Sequence, residues 1–342
     1  MITVPGYFDP RQLAHEPIQE LHNGGWAAYA EKSSRAEIIA ASFFELQPAR
    51  DFGLEPVLNV HDRGYVEFLR SAFAEWRATG RDGDAIGYTW PVVRRRNLKL
   101  DRIDAKLGLY SYDAATPIAE GTWESSYWSA QTALSALAAI LDGATTKSFA
   151  LCRPPGHHSG PDYCGGYCYL NNAAIAAEQA RRSGRRVAIL DIDYHHGNGT
   201  QDVFYEDADV LFVSIHADPV TDYPFFWGHA DERGEGAGAG KTINLPLPRG
   251  TDLRVYEVAL CEALNAVQDH ETDLLVLSFG ADTFEDDPIS FFRLRQDDYR
   301  LIGSRIASIG LPVLVVMEGG YAVEALGHNV DALLGGLDRP AD

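Results

Sequence analysis

Apolar residues with high β-propensity form four uninterrupted runs in the middle and second half of the chain. The runs lie in the segments SFALC (148–152), RRVAIL (185–190), DLLVLS (273–278) and LPVLVVM (311–317). In RRVAIL the apolar run begins after the two arginines. Strands buried on both faces of a parallel sheet show this continuous pattern, whereas half-exposed strands alternate apolar with polar residues. The runs therefore predict four strands of a buried, mostly parallel sheet.

Helical periodicity lies between and around these predicted strands. It predicts helices at 34–46, 123–141, 171–182, 253–268 and 296–308. Helices that alternate with parallel strands cover the two faces of the sheet. The predicted fold class is therefore α/β, with a mostly parallel sheet flanked by helices on both faces.

The chain has 342 residues, a length that would allow two domains. No linker, low-complexity stretch or repeat interrupts the alternation of strand and helix patterns in the sequence. We therefore predict a single domain over residues 1–342. Residues 80–120 are mixed in charge and poorly periodic, so a long loop insertion is predicted there.

A polar motif follows each of the four predicted strands. The motifs are RPPGHH at 153–158, DIDYHHGNG at 191–199, GAD at 280–282 and EGGY at 318–321. In open α/β sheets, ligands bind beyond the carboxyl ends of the strands. The four motifs therefore predict one functional site at that edge of the sheet.

Two carboxylates and one imidazole in these motifs suit a catalytic metal centre. Asp193, His195 and Asp282 offer two oxygen ligands and one nitrogen ligand, which leaves a position on a divalent metal open for water and substrate. Taken singly, such aspartates are more often helix caps or turn formers. Their combination with two histidines at 157–158 and with Tyr321 favours a metal-dependent hydrolase.

With these motifs in place, the chain resembles the metal-dependent deacetylases, the family that includes histone deacetylases and bacterial acetylpolyamine amidohydrolases. The similar segments span nearly the whole chain. They are SRAEII (34–39), HDRGYVEFL (61–69), GGYCYLNNAAIAA (165–177), HHGNGTQDVFY (195–205), SIHAD (214–218), GEGAGAGKTINLPLP (234–248), FGADTFEDDP (279–288) and MEGGY (317–321). Residues 80–125 and the HHGNGTQ form look most like the acetylpolyamine branch. The resemblance implies an arginase/deacetylase-like fold.

The resemblance implies a role for each ligand-type residue. Asp193, His195 and Asp282 match the family's metal ligands, with Zn²⁺ as the usual ion and Fe²⁺ or Co²⁺ as alternatives for the same shell. His158 matches the group that acts first as general base and then as general acid. His157 matches its electrostatic partner.

Three further residues complete the implied catalytic set. Asp191 would hold His157 through a ring N–H and raise its basicity. Asn198 stands where many family members carry an aspartate, so His158 is expected to be less basic than in those members. Tyr321 would donate a hydrogen bond to the tetrahedral oxyanion, because a phenol stays protonated at neutral pH.

The resemblance also implies a substrate channel and its mouth. Tyr167 and Tyr223 would form its aromatic walls, which grip methylene groups and can stack against a cation. Gly166 would let the substrate chain pass close to the backbone. Three polar residues are expected near the mouth, where carboxylates could pair with a distal ammonium: Glu20, His22 and Asp104.

A structural K⁺ or Na⁺ site is the last expectation that the resemblance gives. Asp191, Ser214 and Phe204 match positions around the family's monovalent-cation sites. A monovalent cation there would offset the carboxylates behind the catalytic metal.

The net charge narrows the choice of substrate. Asp and Glu number 49 against 29 Lys and Arg, which gives a formal net charge of −20. Such a field attracts cations and repels nucleic acid, so a small cationic substrate is expected and a nucleic-acid partner is not. An acidic surface that serves only solubility is the alternative explanation.

Compartment and assembly are predicted from other features. The four cysteines are too few for a disulfide scaffold, and no apolar run approaches the ~20 residues needed to span a bilayer. A cytoplasmic protein with reduced thiols and no membrane partner is therefore expected. By resemblance, the insertion at 80–120 would pack against a second subunit, narrow the entrance to the site and give a homodimer.

The sequence thus predicts an amidohydrolase that removes acetyl groups from small cationic amines. One alternative is a deacetylase of acetyl-lysine in proteins, with the same chemistry and a wider mouth. Another is a catalytically silent module that binds polyamines or proteins. The full set of polar residues argues against the silent module, since binding needs neither a general base nor an oxyanion donor.

Overall fold

The computed structural model describes residues 4–43, 45–91 and 99–338. Its strands are β1 (Gly6–Tyr7), β2 (Gln19–His22), β3 (Gly25–Ala28), β4 (Leu46–Gln47), β5 (Lys147–Ala150), β6 (Val187–Asp191), β7 (Val210–Ala217), β8 (Thr242–Leu247), β9 (Leu274–Phe279) and β10 (Val313–Met317). Its α-helices are α1 (Ser33–Ala40), α2 (Glu55–Leu58), α3 (Arg63–Ala78), α4 (Ile103–Tyr110), α5 (Thr122–Leu141), α6 (Asn172–Arg182), α7 (Asn198–Phe204), α8 (Leu253–Asp269), α9 (Gln296–Ala307) and α10 (Val323–Asp338).

Eight of these strands form one sheet, in the order β4-β1-β5-β10-β9-β6-β7-β8. Every strand pairing within it is parallel, and β2 and β3 form a separate antiparallel hairpin. The four apolar runs of the sequence become β5, β10, β9 and β6, which are neighbours in the middle of the sheet. The predicted α/β fold class is confirmed.

Side chains of the central strands alternate between two hydrophobic cores, one on each face of the sheet. In β9, Leu275 and Leu277 belong to the core that contains residues of α8, α9 and α10. Leu274 and Val276 belong to the opposite core, which contains residues of α5 and α6. Burial on both faces explains why these strands read as continuous apolar runs.

The register of the sheet brings the four polar motifs to one edge. Asp191 at the end of β6 pairs with Ser278 in β9, and Ser278 pairs with Val316 in β10. Val316 pairs in turn with Ala150, the last residue of β5. Because these positions are aligned across four parallel strands, the segments that follow them leave the sheet side by side. The predicted convergence of the motifs at the carboxyl edge is confirmed.

The helix predicted at 34–46 is wrong in its second half. α1 ends at Ala40, and Leu46 and Gln47 instead form β4, which pairs with Gly6 and Tyr7 at the edge of the sheet. Phe44 lies outside the described residues. Pairing with β1 comes from a segment about forty residues away, so local periodicity could not reveal it.

The insertion predicted as a loop at 80–120 contains a helix. α4 buries Ile103 and Leu107 in a cluster with residues of α3 and α5. A helix of eight residues has only about two turns, which is too short to give a periodic signal. Residues 92–98 of the insertion lie outside the described residues.

None of the helices described is both long enough and apolar enough to cross a bilayer. All four cysteines lie within the described ranges, and each is a free thiol.

Candidate active site

The predicted metal ligands come together just beyond the ends of β6 and β9. One ligand atom from each of Asp193, His195 and Asp282 lies within 4.8 Å of the others. His195 Nδ1 is 3.3 Å from Asp193 Oδ1 and 3.0 Å from Asp282 Oδ2. Backbone amides orient the two carboxylates: the amide of His195 donates to Asp193 and that of Tyr194 donates to Asp282.

The electrostatics of this cluster fit a divalent cation. Asp193 and Asp282 are both fully buried. Burial, followed by the charge of Asp193, raises the pKa of Asp282 to about 7. A cation between the two carboxylates would offset their repulsion, and an oxygen–nitrogen–oxygen donor set suits Zn²⁺, Fe²⁺ or Co²⁺.

Close packing around the carboxylates requires glycine at position 280. A Cβ on Gly280 would lie 1.9 Å from Asp193 Oδ2 and 2.7 Å from Asp282 Oδ1. Any larger residue there would push the two carboxylates apart. Gly280 is therefore part of the cluster's geometry, although it offers no ligand atom.

His157 is held on two sides in a buried position. Its Nδ1 lies 3.0 Å from Asp191 Oδ2, the contact that the resemblance implied. Glu318 at the end of β10 accepts the backbone N–H of His157 at 3.1 Å and that of Gly156 at 2.7 Å. Burial alone would lower the pKa of His157, but the carboxylates of Asp193 and Asp191 raise it to about 10.

His158 has a neutral hydrogen-bond partner. Its Nδ1 lies 2.7 Å from Asn198 Oδ1, at the position where the resemblance placed Asn198. Burial, then the charges of His157 and His195, lower the pKa of His158 well below its usual value. A lowered pKa favours the neutral form of His158, which is the state that a general base needs.

The two predicted channel tyrosines contact different members of the site. The Tyr223 ring is 5.2 Å from the His158 ring and 6.0 Å from the His195 ring, centre to centre. The Tyr167 ring is 5.7 Å from the Tyr321 ring. Tyr223 therefore lies beside the histidines and Tyr167 beside Tyr321, while their role as channel walls stays a prediction.

The local structure explains why position 166 is a glycine. Its φ is +53°, and a Cβ there would lie 2.2 Å from His158 Cδ2. Its backbone N–H donates to Asp113 Oδ2 at 2.7 Å. The structure therefore explains this glycine by its contact with His158, while the predicted passage of substrate beside it stays a prediction.

Tyr321 is held by its backbone. Asp287 Oδ2 accepts the N–H of Tyr321 at 2.7 Å and that of Ala322 at 3.2 Å. On the other side, Arg35 donates to the carbonyl of Gly320 at 2.6 Å and lies 4.8 Å from the centre of the Tyr321 ring. These contacts fix the loop that carries the Tyr321 ring.

Glu20 in the β2–β3 hairpin reaches the channel wall through Tyr167. The hydroxyl of Tyr167 donates to Glu20 Oε1 at 3.0 Å. Glu20 is buried, and its Oε2 has no hydrogen-bond partner among the described residues. Burial raises the pKa of this carboxyl to about 7. His22 is more exposed, with its Nδ1 3.9 Å from Glu20 Oε1.

Asp104 is not brought to the other site residues by any contact in the described ranges. It lies in α4, where its carboxylate is 2.6 Å from Arg81 and 2.8 Å from Arg102. The carboxylate that was expected to pair with a substrate ammonium thus forms ion pairs with two arginines. Its place at the mouth stays a prediction without a supporting contact.

Two of the three residues expected at the monovalent-cation site, Asp191 and Ser214, are neighbours in the sheet. Asp191 pairs in register with Ser214 across β6 and β7, and Ser214 Oγ lies 2.8 Å from His216 Nδ1. Phe204 is the buried last residue of α7. The K⁺ or Na⁺ site stays a prediction.

Sequence reasoning missed several residues that organise the site. Asp287 and Arg35 fix Tyr321, and Glu318 fixes His157. Asp113 accepts the N–H of Gly166 and, at 2.8 Å, the hydroxyl of Tyr223. A signal was present for three of them, since Arg35, Asp287 and Glu318 lie within segments that carry the family resemblance.

Comparison with known proteins gives one consistent result. The histone deacetylase domain profile matches residues 25–337. Acetylpolyamine amidohydrolase 2 of Pseudomonas aeruginosa is 48% identical over 99% of both chains. The acetylpolyamine amidohydrolase of Mycoplana ramosa is 46% identical over 93% of this chain and 95% of its own. The crystal structure of acetylpolyamine aminohydrolase from Burkholderia pseudomallei superimposes with a TM-score of 0.94 at 40% identity and 98% coverage of both chains.

The fold and its edge site therefore define an enzyme of the deacetylase type. The chain belongs to the histone deacetylase family.

Proposed function

We propose that this protein is a metal-dependent amidohydrolase that removes acetyl groups from small cationic amines, the acetylpolyamines. The observation that carries the proposal is the buried Asp193, His195 and Asp282 cluster, with His158 close to it and held at Nδ1 by Asn198. The substrate class is supported by the relatives at 46–48% identity, which are named acetylpolyamine amidohydrolases.

Asp193, His195 and Asp282 would hold the metal, Zn²⁺ first and Fe²⁺ or Co²⁺ as alternatives. When bound, the ion supplies Lewis-acid polarisation of the acetyl carbonyl and lowers the pKa of the attacking water. The same three residues leave a coordination position open, as a catalytic centre requires.

The histidine pair would move the proton. His158 Nδ1 is engaged with Asn198, so its Nε2 is the atom that takes the proton of the attacking water. The same Nε2 then delivers that proton to the departing amine. His157, held by Asp191, stays charged beside it and keeps His158 neutral before the reaction.

Tyr321 would stabilise the developing oxyanion. Its hydroxyl stays protonated, because burial raises the pKa of this phenol well above the usual value. A donor fixed in place before the reaction stabilises the oxyanion without reorganising at that moment. Arg35 and Asp287 supply that fixation through the backbone of the loop.

Two features support a cationic substrate: the net charge of the whole chain and one buried carboxylate in the site. The net charge of −20 raises the local concentration of cations over the whole surface. Within the site, Glu20 Oε2 is buried without a partner, next to a tyrosine that itself packs against Tyr321. An ammonium group on the far end of an acetylated diamine would pair with this carboxylate and favour its ionised form.

Glu20→Gln is expected to discriminate between charged and neutral substrates. The amide keeps the shape and can still accept the Tyr167 hydroxyl, but it loses the charge that would meet an ammonium. We expect kcat/KM for acetylputrescine to fall about tenfold, a typical size for one charge-assisted contact, and kcat/KM for N-butylacetamide to change little. Steady-state kinetics on the two substrates measures the difference.

Glu206→Gln is the matched control, since it removes one exposed negative charge that has no place in the site. Equal losses on the charged and neutral substrates in Glu20→Gln would remove the proposed role of Glu20.

We also propose a homodimer in which the 80–120 insertion packs against a second subunit. Tyr88 and Trp90 in the insertion are 70% and 38% exposed, an apolar surface that association would cover. Sedimentation velocity is expected to show a species of about twice the 37.6 kDa chain mass. A monomer that is fully active on small acetylated amines would contradict this assembly.

A further inference from the structure

We propose that Tyr163 and Asp202 are positioning residues that fix the side-chain amide of Asn198 and, through it, the tautomer of His158. The inference rests on the proposed function, in which His158 Nε2 takes a proton. It concerns two side chains that lie behind Asn198, on the side away from the histidine.

Asn198 presents two chemically different ends to its surroundings. Its Oδ1 can only accept a hydrogen bond and its Nδ2 can only donate one. With Oδ1 facing His158 at 2.7 Å, the histidine must carry its proton on Nδ1. If the amide were reversed, Nδ2 would donate to His158 Nδ1, and the ring proton would move to Nε2. In that state Nε2 could not accept a proton from water.

Tyr163 gives the amide its direction. Asn198 Nδ2 donates to the Tyr163 hydroxyl at 3.4 Å. The hydroxyl has a single proton, so it can accept from Nδ2 only if that proton goes elsewhere. Asp202 Oδ2 takes it at 2.6 Å, a short charge-assisted bond, whereas the alternative acceptor, the backbone carbonyl of Asn198, is 3.4 Å away.

The carboxylate makes this direction unambiguous. An ionised aspartate only accepts, so the bond between Tyr163 and Asp202 runs from hydroxyl to carboxylate. The lone pairs of the hydroxyl then face Nδ2, and Oδ1 is left for His158. Asp202 lies four residues after Asn198 in α7, so both side chains emerge on the same side of the helix.

The Tyr112 hydroxyl lies 3.4 Å from Asn198 Oδ1, but its closer partner is the hydroxyl of Tyr223, so the direction of the amide depends on Tyr163. Asn198 is fully buried and Tyr163 is only 7% exposed, so an unpaired amide group there would lack bulk water as a substitute.

Tyr163→Phe is the direct test, because it removes the hydroxyl and keeps the ring. With no acceptor for Nδ2, the original orientation leaves a buried N–H group unpaired, so the reversed orientation becomes the favoured one and most of the enzyme holds His158 in the inactive tautomer. We expect kcat on acetylputrescine to fall about tenfold, the loss typical of one unpaired buried donor, with KM changed less than twofold. Asp202→Leu should cause a smaller loss, since the backbone carbonyl of Asn198 can then take the Tyr163 proton.

Asn198→Asp separates this role from a structural one. A carboxylate accepts with either oxygen and needs no fixed direction, so Tyr163→Phe should lower kcat less than twofold in the Asn198→Asp background. Equal losses in both backgrounds, or no loss with Asn198 present, would overturn the proposal. Thermal unfolding of each variant checks that the fold is kept.

A readout independent of turnover comes from ¹⁵N NMR of the His158 ring in the protein without added metal. The wild type is expected to show the Nδ1–H tautomer and Tyr163→Phe mainly the Nε2–H tautomer; an Nε2–H wild type would overturn the proposal. A wild type that has the Nδ1–H tautomer but does not hydrolyse acetylputrescine would instead contradict the proposed function.

Discussion

Tyr321→Phe is expected to lower kcat on acetylputrescine by a factor of about 10²–10³, the usual cost of losing one oxyanion donor. The variant removes only the hydroxyl. The backbone of the loop stays tied to Asp287 and Arg35, and the ring keeps its contact with Tyr167. We therefore expect KM and the melting temperature to change little. Steady-state kinetics and thermal unfolding measure the three quantities.

Tyr205→Phe is the matched control for this substitution. Tyr205 follows α7, remote from the ligand cluster in the described contacts, and its loss of a hydroxyl should leave turnover within twofold. Full turnover by Tyr321→Phe would mean that another group stabilises the oxyanion.

His158→Ala is expected to lower kcat by a factor of about 10²–10⁴, the range associated with a positioned general acid or base. His158 is no part of the ligand cluster, so its removal should leave one metal ion bound per chain. Kinetics together with metal analysis by mass spectrometry measures both effects.

His195→Ala provides the contrast, because it deletes an expected ligand and should lose both metal and activity. If His158→Ala lost its metal in the same way, the assignment of His158 as a proton carrier would be wrong. If it kept more than a tenth of wild-type turnover, the proton would be carried by another residue.

Much of the fold was predictable because the sheet is buried on both faces. Runs such as 273–278 and 311–317 have to be continuous and apolar when cores pack on both sides, and they became β9 and β10. The short strands β1 and β4 have two residues each and carry no such pattern. Their pairing depends on contacts between distant segments, which a local window cannot contain.

The ligand-type residues of the site were predictable for a related reason. Asp193, His195 and Asp282 follow buried strands directly, so sheet register alone brings them to one edge. Asp287 and Asp113 instead accept hydrogen bonds from backbone N–H groups of residues that are distant in the sequence. The direction of those N–H groups depends on loop conformation, which a local sequence pattern does not reveal.

Asp104 shows the limit of placing a residue from sequence alone. Its neighbours in space include Arg81, 23 positions earlier in the chain, and that contact engages the carboxylate. Asp104 was predicted at the site and has no supporting contact there, whereas the tyrosine and aspartate behind Asn198 were not predicted and do contact a site residue. Asp202 lies within the HHGNGTQDVFY segment and Tyr163 lies in none of the similar segments, and only their packing reveals the contact with Asn198.

The most direct test of the account is turnover of acetylputrescine by the purified protein in three states: as isolated, stripped by a chelator, and reloaded with one equivalent of Zn²⁺. An acetyl-lysine peptide is assayed alongside in each state. The account predicts rapid cleavage of acetylputrescine that is lost on stripping and restored on reloading, with little cleavage of the peptide. Turnover that survives complete metal removal, or a preference for the peptide, would contradict it.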